Sequence, residues 1–283
     1  MEEWRKNIGA DDEYFLNSCP VDTYDNPNLG SENRSIRVRW YPSDSKDNYI
    51  ESGNAYTIDS VDYDLNKHGF RCDEFDDIRD SKNKKLIVFG CSNTFGIGLP
   101  EHHIWPYEVK RLLEKKYNEK IDLINLAMPG TGSDDTVRVI SMLGDSFHPN
   151  FVCCFTPPVF RKTYTDHSGK IFNYLLSNQY NKNYHDSDWK RVNSIGEAMV
   201  DISPQSFYYG QYVAESLVRT YAKLNNATHK IITTAHYLDD MIATYDIDKN
   251  EGPWKSKARD SMHYGRHFHK MLAIKFIEGL FNE

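Results

Sequence analysis

The chain has 283 residues, 39% of them hydrophobic, and sets 34 Lys and Arg against 41 Asp and Glu, for a formal net charge of −7 at pH 7. That length can bury a substantial core in one large domain or a domain with an appendage, and an acidic balance without a basic stripe or Lys/Arg cluster excludes general affinity for nucleic acid or an anionic membrane. No apolar segment of signal-peptide length opens the sequence, and no run approaches the roughly 18 apolar residues that span a bilayer, so a cytoplasmic protein is expected.

Residues 1 to about 80 are polar, rich in Asp, Asn, Ser and Tyr, and lack helical periodicity. Within them Ser35 to Tyr41 alternates Ile36, Val38 and Trp40 with Arg37 and Arg39, the pattern of a half-buried strand. Asn54 to Tyr63 is a weaker strand candidate, and Asn66 to Arg71 reads as a turn leading inward. These residues are expected to form a small, irregular β-rich N-terminal region that packs on the main domain or serves as a binding surface.

From about residue 81 apolar runs alternate with helical patterns. Leu86, Ile87, Val88 and Phe89 form a continuous run suited to a parallel strand buried on both faces. Trp105 to Tyr117 carries Trp105, Val109, Leu112, Leu113 and Tyr117 at helical spacing, with Pro106 tolerated in the first turn. Ile121 to Leu126 predicts a second strand, about Asp134 to Leu143 a helix, and Phe151 to Phe155 a third strand closed by Thr156-Pro157-Pro158. Residues 159–202 are aromatic and polar without a clear period, and a structureless loop of that length is unusual, so they are expected to hold short elements over the site. Ser203 to Leu224 predicts a helix, Lys230 to Ala235 a fourth strand, and Gly265 to Phe281 a closing helix with Phe268, Leu272, Phe276 and Leu280 on one face. Such alternation implies right-handed βαβ units and a three-layer α/β/α sandwich, with a doubly wound, flavodoxin-like parallel sheet over 81–283.

Two stretches carry chemistry. After Phe89 comes Gly90-Cys91-Ser92-Asn93-Thr94-Phe95-Gly96-Ile97-Gly98, a tight turn at the carboxyl end of a central strand, where open α/β sheets place their ligands. Ser92 stands at its tip, where its hydroxyl would be presented to substrate. Just before the closing helix, Asp260-Ser-Met-His263 places a carboxylate where it can hold one imidazole nitrogen while the other faces outward. If that loop reaches the same sheet edge, His263 can take the Ser92 proton and Asp260 can fix its tautomer.

Read together, these residues resemble the SGNH, or GDSL-type, hydrolase superfamily over roughly residues 84–283, apart from the 159–202 stretch. Gly90, Cys91 and Ser92 match the family's Gly-Asp-Ser turn, Asn125 and Gly130 its second block, and Asp260 with His263 its last block. The resemblance implies Ser92 as nucleophile, a triad with His263 and Asp260, and an oxyanion hole from the backbone N–H groups of Ser92 and Gly130. Two positions depart from the pattern. Cys91 replaces the usual Asp, and the third strand runs into Thr156-Pro157-Pro158 without the family's Asn. Another group, Arg161, Asn93 or a backbone amide, would have to supply that donor; losing one such donor typically costs about a hundredfold or more in rate. By itself Asn125, at a strand end, reads as a turn brace.

The implied function is a serine esterase acting on a short acyl ester, acetyl above all, of a carbohydrate, with a small ester or acylated glycan as substrate. Tyr164, Phe172, Tyr174, Tyr180, Tyr184 and Trp189 could stack on sugar rings or simply pack on one another. An alternative is a non-catalytic module that keeps the fold and binds glycan or a protein partner. A flavodoxin-like nucleotide or flavin binder would leave Asp260 and His263 unexplained. No cofactor is implied. Cys19, Cys72, Cys91, Cys153 and Cys154 lack CxxC spacing and read as buried thiols, and His263-x-x-x-His267 lacks the intervening Glu of a zincin, so no metal site is expected.

Overall fold

In the computed structural model, which describes residues 61–143, 146–159, 161–165, 171–175, 204–234, 257–260 and 263–281 together with 36–38, 44 and 49, the apolar runs lie side by side. The elements begin with β1 (Ile36–Val38), β2 (Tyr63–Leu65), α1 (Phe75–Asp80), β3 (Lys84–Phe89) and the one-turn α2 (Ser92–Phe95). There follow α3 (Trp105–Tyr117), β4 (Ile121–Asn125), α4 (Ser133–Leu143), β5 (Phe151–Phe155), β6 (Arg161–Thr165) and β7 (Ile171–Leu175). The last three are α5 (Pro204–Leu224), β8 (Thr228–Ile232) and α6 (Arg266–Phe281). β4, β3, β5 and β8 make one sheet in that order, and every pairing in it is parallel.

Strand alternation decides which helices cover which face. Ile87 and Phe89 of β3, with Val152 and Cys154 of β5, share a core with Val139, Ile140 and Leu143 of α4 and with Val218, Tyr221 and Ala222 of α5. Leu86 and Val88, with Phe151, Cys153 and Phe155, point the other way, against Trp105, Val109 and Leu113 of α3 and Phe268, Leu272, Phe276 and Leu280 of α6. The result is an α/β/α sandwich. The chain leaves β3 toward β4 and returns past it to β5, so the strand order switches direction beside the carboxyl end of β3, the crevice where such sheets place ligands.

Several elements differ from the sequence reading. Of the strand expected over Ser35 to Tyr41, Ile36–Val38 form β1, antiparallel to β2 with Ile36 opposite Leu65 and Val38 opposite Tyr63, and residues 35 and 39–41 lie outside the described residues. Of the weaker candidate at 54–63, residues 54–60 lie outside the described residues. The stretch 159–202 opens with an antiparallel hairpin of β6 and β7 that sets Tyr164 opposite Phe172 and Lys162 opposite Tyr174. It lacks an apolar face in its first strand, so no hydrophobic period marks it. β8 begins two residues early, at Thr228, because polar Thr228 and His229 are held by pairing with Phe151 and Val152. It stops at Ile232, where Thr234 turns away by bonding its backbone N–H to the Thr156 hydroxyl at 3.2 Å.

The described part of the N-terminal region is built into this core. Val61, Tyr63 and Leu65 pack with Phe95, Ile97 and Ala127, while Phe70, Phe75 and Ile78 join the face covered by α4 and α5. Among the described residues no helix is long and apolar enough to cross a membrane.

Candidate active site

β3 ends at Gly90 because nothing larger fits. A Cβ there would lie 2.0 Å from Thr94 Oγ1 and 2.8 Å from the Phe155 carbonyl oxygen, so the turn folds back directly onto the end of β5. Cys91 then stays extended, its carbonyl accepts the Thr94 and Phe95 N–H groups at 2.9 Å, and Ser92 becomes the first residue of α2. Among the described residues the backbone N–H groups of Ser92 and Asn93 donate to no carbonyl, as the first positions of a helix leave them. Ser92 is only 3% exposed, so its hydroxyl is enclosed and does not stand on an open tip as the sequence suggested. Packing of Phe95, Ile97 and Ala127 around the short helix draws it inward.

At the other end of the chain Asp260 is fully buried and His263 half-buried. The His263 backbone N–H donates to Asp260 Oδ1 at 3.0 Å, and Nδ1 lies 2.5 Å from Oδ2. One carboxylate therefore fixes both the backbone and the ring, and Nε2 is the nitrogen turned to other work. A carboxylate can only accept at that distance, so it holds the Nδ1–H tautomer.

The two stretches, some 170 positions apart, meet. The Arg259 backbone N–H donates to the Gly98 carbonyl at 2.9 Å. Gly98 has φ +72, and a Cβ on it would come within 2.8 Å of the Ala258 Cβ and 3.2 Å of the Asp260 nitrogen. Glycine at 98 is thus required twice, by its left-handed backbone and by the contact itself. Among the described residues the Ser92 hydroxyl and the His263 ring are not hydrogen-bonded to each other, and the contact between their loops is the Arg259 to Gly98 backbone bond.

Arg71 and Arg259, neither of which stood out in the sequence as a site residue, frame this junction. The buried Arg71 guanidinium gives Nη1 to the Phe95 and Gly96 carbonyls at 3.1 and 2.8 Å, and Nη2 to those of Asp62 and Leu99 at 3.1 and 2.9 Å. It lies 4.8 Å from the Tyr63 ring centroid, so a single cation laces the turn after Ser92 to the N-terminal region. Arg259 pairs with Asp44, both side chains fully buried. The only signal for either was a charged residue beside an otherwise informative motif.

The remaining candidates sit around the same edge. Asn125, at the end of β4, donates Nδ2 to the Thr94 carbonyl at 3.1 Å and accepts the Ala127 N–H at 3.2 Å, bracing α2 against the neighbouring strand. Gly130 is exposed, with φ +79, in the loop that follows. Two residues on, a Cβ at Gly132 would lie 2.5 Å from the Arg161 carbonyl oxygen, so the chains leaving β4 and β5 touch. Among the described residues Arg161 Nε and Nη1 are buried without an acceptor, and Asn93 Oδ1 is likewise buried without a donor. Among the described residues no cluster of three His, Cys, Asp or Glu is placed to hold a metal ion. Burial pushes the Cys153 and Cys154 thiols well above their ordinary pKa.

No protein-family model and no curated protein matches the chain. Solved structures do resemble it. A lipase, Lip_vut3, from a goat rumen metagenome is 13% identical with a TM-score of 0.41, the match covering 70% of this chain and 97% of the lipase. A variant of Axe2, an acetyl xylan esterase from Geobacillus stearothermophilus, is 16% identical with a TM-score of 0.38, covering 72% and 98%. A protein from Desulfitobacterium hafniense, described as a lipolytic protein of the G-D-S-L family, is 13% identical with a TM-score of 0.35, covering 68% and 97%.

Proposed function

We propose that the protein is an SGNH-type serine esterase, with Ser92 as nucleophile, His263 as general base and then general acid, and Asp260 as the carboxylate that orients it. The observation that supports this reading is the Asp260–His263 pair, whose loop is tied to the loop after Ser92 by the Arg259 to Gly98 hydrogen bond. Ser92 Oγ attacks the ester carbonyl as its proton passes to Nε2 of His263. The tetrahedral intermediate collapses with return of that proton to the departing alcohol. Water, activated by the same nitrogen, then releases the acid and restores the serine.

The developing oxyanion needs donors. The unspent backbone N–H of Ser92 and that of Gly130 are two candidates. The Arg161 guanidinium is a third candidate: it opens β6, just past the Thr156-Pro157-Pro158 stretch where the family's Asn is missing, and among the described residues its buried Nε and Nη1 have no acceptor, which makes it a suitable partner for an anion. As substrate we propose a short acyl ester, such as acetyl, on a carbohydrate, a choice supported by the enclosed serine and the aromatic sequence of the β6–β7 hairpin. Reaction of the native protein with p-nitrophenyl acetate and with a fluorophosphonate probe tests the reading. Both reactions are expected, and both should vanish in Ser92→Ala; hydrolysis undiminished in that variant would overturn it, and a native protein inert to both reagents would favour the non-catalytic binding module.

A further inference from the structure

We infer that Asp44, contributed by the N-terminal region, is a positioning residue that holds the two halves of the site in one frame. This rests on the catalytic reading of Ser92, His263 and Asp260. Asp44 is fully buried and spends its carboxylate in two directions. Toward the nucleophile turn, Oδ2 accepts the Tyr63 hydroxyl at 2.5 Å, and the Tyr63 oxygen in turn accepts the Gly98 N–H at 2.7 Å. Toward the imidazole loop, Arg259 gives Nε to Oδ1 and Oδ2 at 3.0 and 3.2 Å and Nη2 to Oδ2 at 2.5 Å. Arg259 Nη1 also reaches the Val61 carbonyl at 3.2 Å.

The consequence follows from chain position. Gly98 is six residues past Ser92, and Arg259 immediately precedes Asp260. The carboxylate therefore lies between the backbone that carries the nucleophile and the backbone that carries the acid–base pair. A buried guanidinium without its counterion cannot stay where it is, and when Arg259 moves the Asp260 backbone moves with it. Burial and the Asp44 charge both push the Tyr63 phenol well above its ordinary pKa, so Tyr63 stays a donor toward Asp44. An apolar pair of the same volume could fill the space, but it could not fix the angle between the two loops.

The test compares the native protein with Asp44→Asn and with the double variant Asp44→Leu/Arg259→Met, by p-nitrophenyl acetate kinetics, thermal unfolding and the downfield proton resonance of His263 Nδ1–H. In Asp44→Asn, kcat is expected to fall about a hundredfold, as displacements of about an ångström do, with KM changed less than about threefold and the resonance broadened or lost. In the double variant, which removes both members of the buried Asp44–Arg259 ion pair, the melting temperature should recover while kcat stays at least about tenfold down. Native kcat and an unchanged resonance in either folded variant would overturn the proposal. If the native protein does not turn over ester, the catalytic reading fails separately and the resonance decides: its loss in the variants upholds the role of Asp44, and its persistence ends it.

Discussion

Asp260 uses both oxygens on one residue, and that concentrates risk in a single side chain. Asp260→Asn keeps the shape but offers an amide where the ring N–H needs an acceptor, so it favours the wrong tautomer. A fall in kcat of about 10⁴ is expected, with little change in melting temperature; steady-state kinetics beside a thermal melt would check it. Gly98→Ala should do the opposite. Its methyl group would press on Ala258 and on the backbone nitrogens of Arg259 and Asp260 in a left-handed conformation, so a loss of about 1–3 kcal/mol in stability is expected, measured by chemical denaturation. At this scale the contact of Asp260 with His263 was legible, because a carboxylate three residues ahead of an imidazole can reach it, and Gly90 and Gly98 mark the tight turns near Ser92. Arg71 and Arg259 were hidden because what makes each one matter is a set of carbonyls and a carboxylate up to 215 positions away, and no local pattern records that.

Among the elements, α3 and α6 pack on the same face of the sheet and are joined at one point by polarity. Trp105 stacks on Phe276 with ring centroids 4.3 Å apart, and its backbone N–H, left over at the start of α3, donates to His269 Nδ1 at 3.0 Å. Burial, the largest cause, lowers the His269 pKa to about 3. The folded protein therefore holds this imidazole neutral, while an unfolded chain protonates it below about pH 6.5. Between those values the unfolded state binds more protons, so stability falls as pH falls, by up to about 1.4 kcal/mol per pH unit from this group. Urea denaturation from pH 7 to 4 should show that slope, and His269→Gln, which keeps an acceptor without a titrating ring, should flatten it. The helices themselves were legible, since Trp105, Val109 and Leu113, and Phe268, Leu272 and Phe276, recur at helical spacing and all are buried. The hairpin of β6 and β7 was not. Its Arg-Lys-Thr-Tyr-Thr strand has no apolar stripe, so backbone pairing organises it without a sequence period.

For the molecule as a whole, Val61, Tyr63, Phe70, Phe75 and Ile78, all ahead of residue 80, are buried in clusters with residues of the sheet and its loops. The parallel order of the strands could be anticipated from alternation with helices and the handedness of crossovers. That Asp44 would be buried against Arg259 could not. Cutting the chain before Val61 removes Asp44 and leaves Arg259 charged and enclosed. Breaking a buried pair by removing one partner costs about 3–5 kcal/mol, and the shortened protein is expected to melt correspondingly lower, as calorimetry on the two lengths would show. Keeping the cut chain and adding Arg259→Met should recover part of the loss.

One arrangement also bears on how the molecule is made. The loop after Ser92 is closed by Tyr63 and Arg71, synthesised before it, and by the backbone of Arg259, which leaves the ribosome some 160 residues later. Contacts so distant along the chain form slowly. A nascent polypeptide can therefore raise most of its sheet while the loop after Ser92 still lacks its later partner, and whatever reactivity that hydroxyl acquires waits until Arg259 has been made.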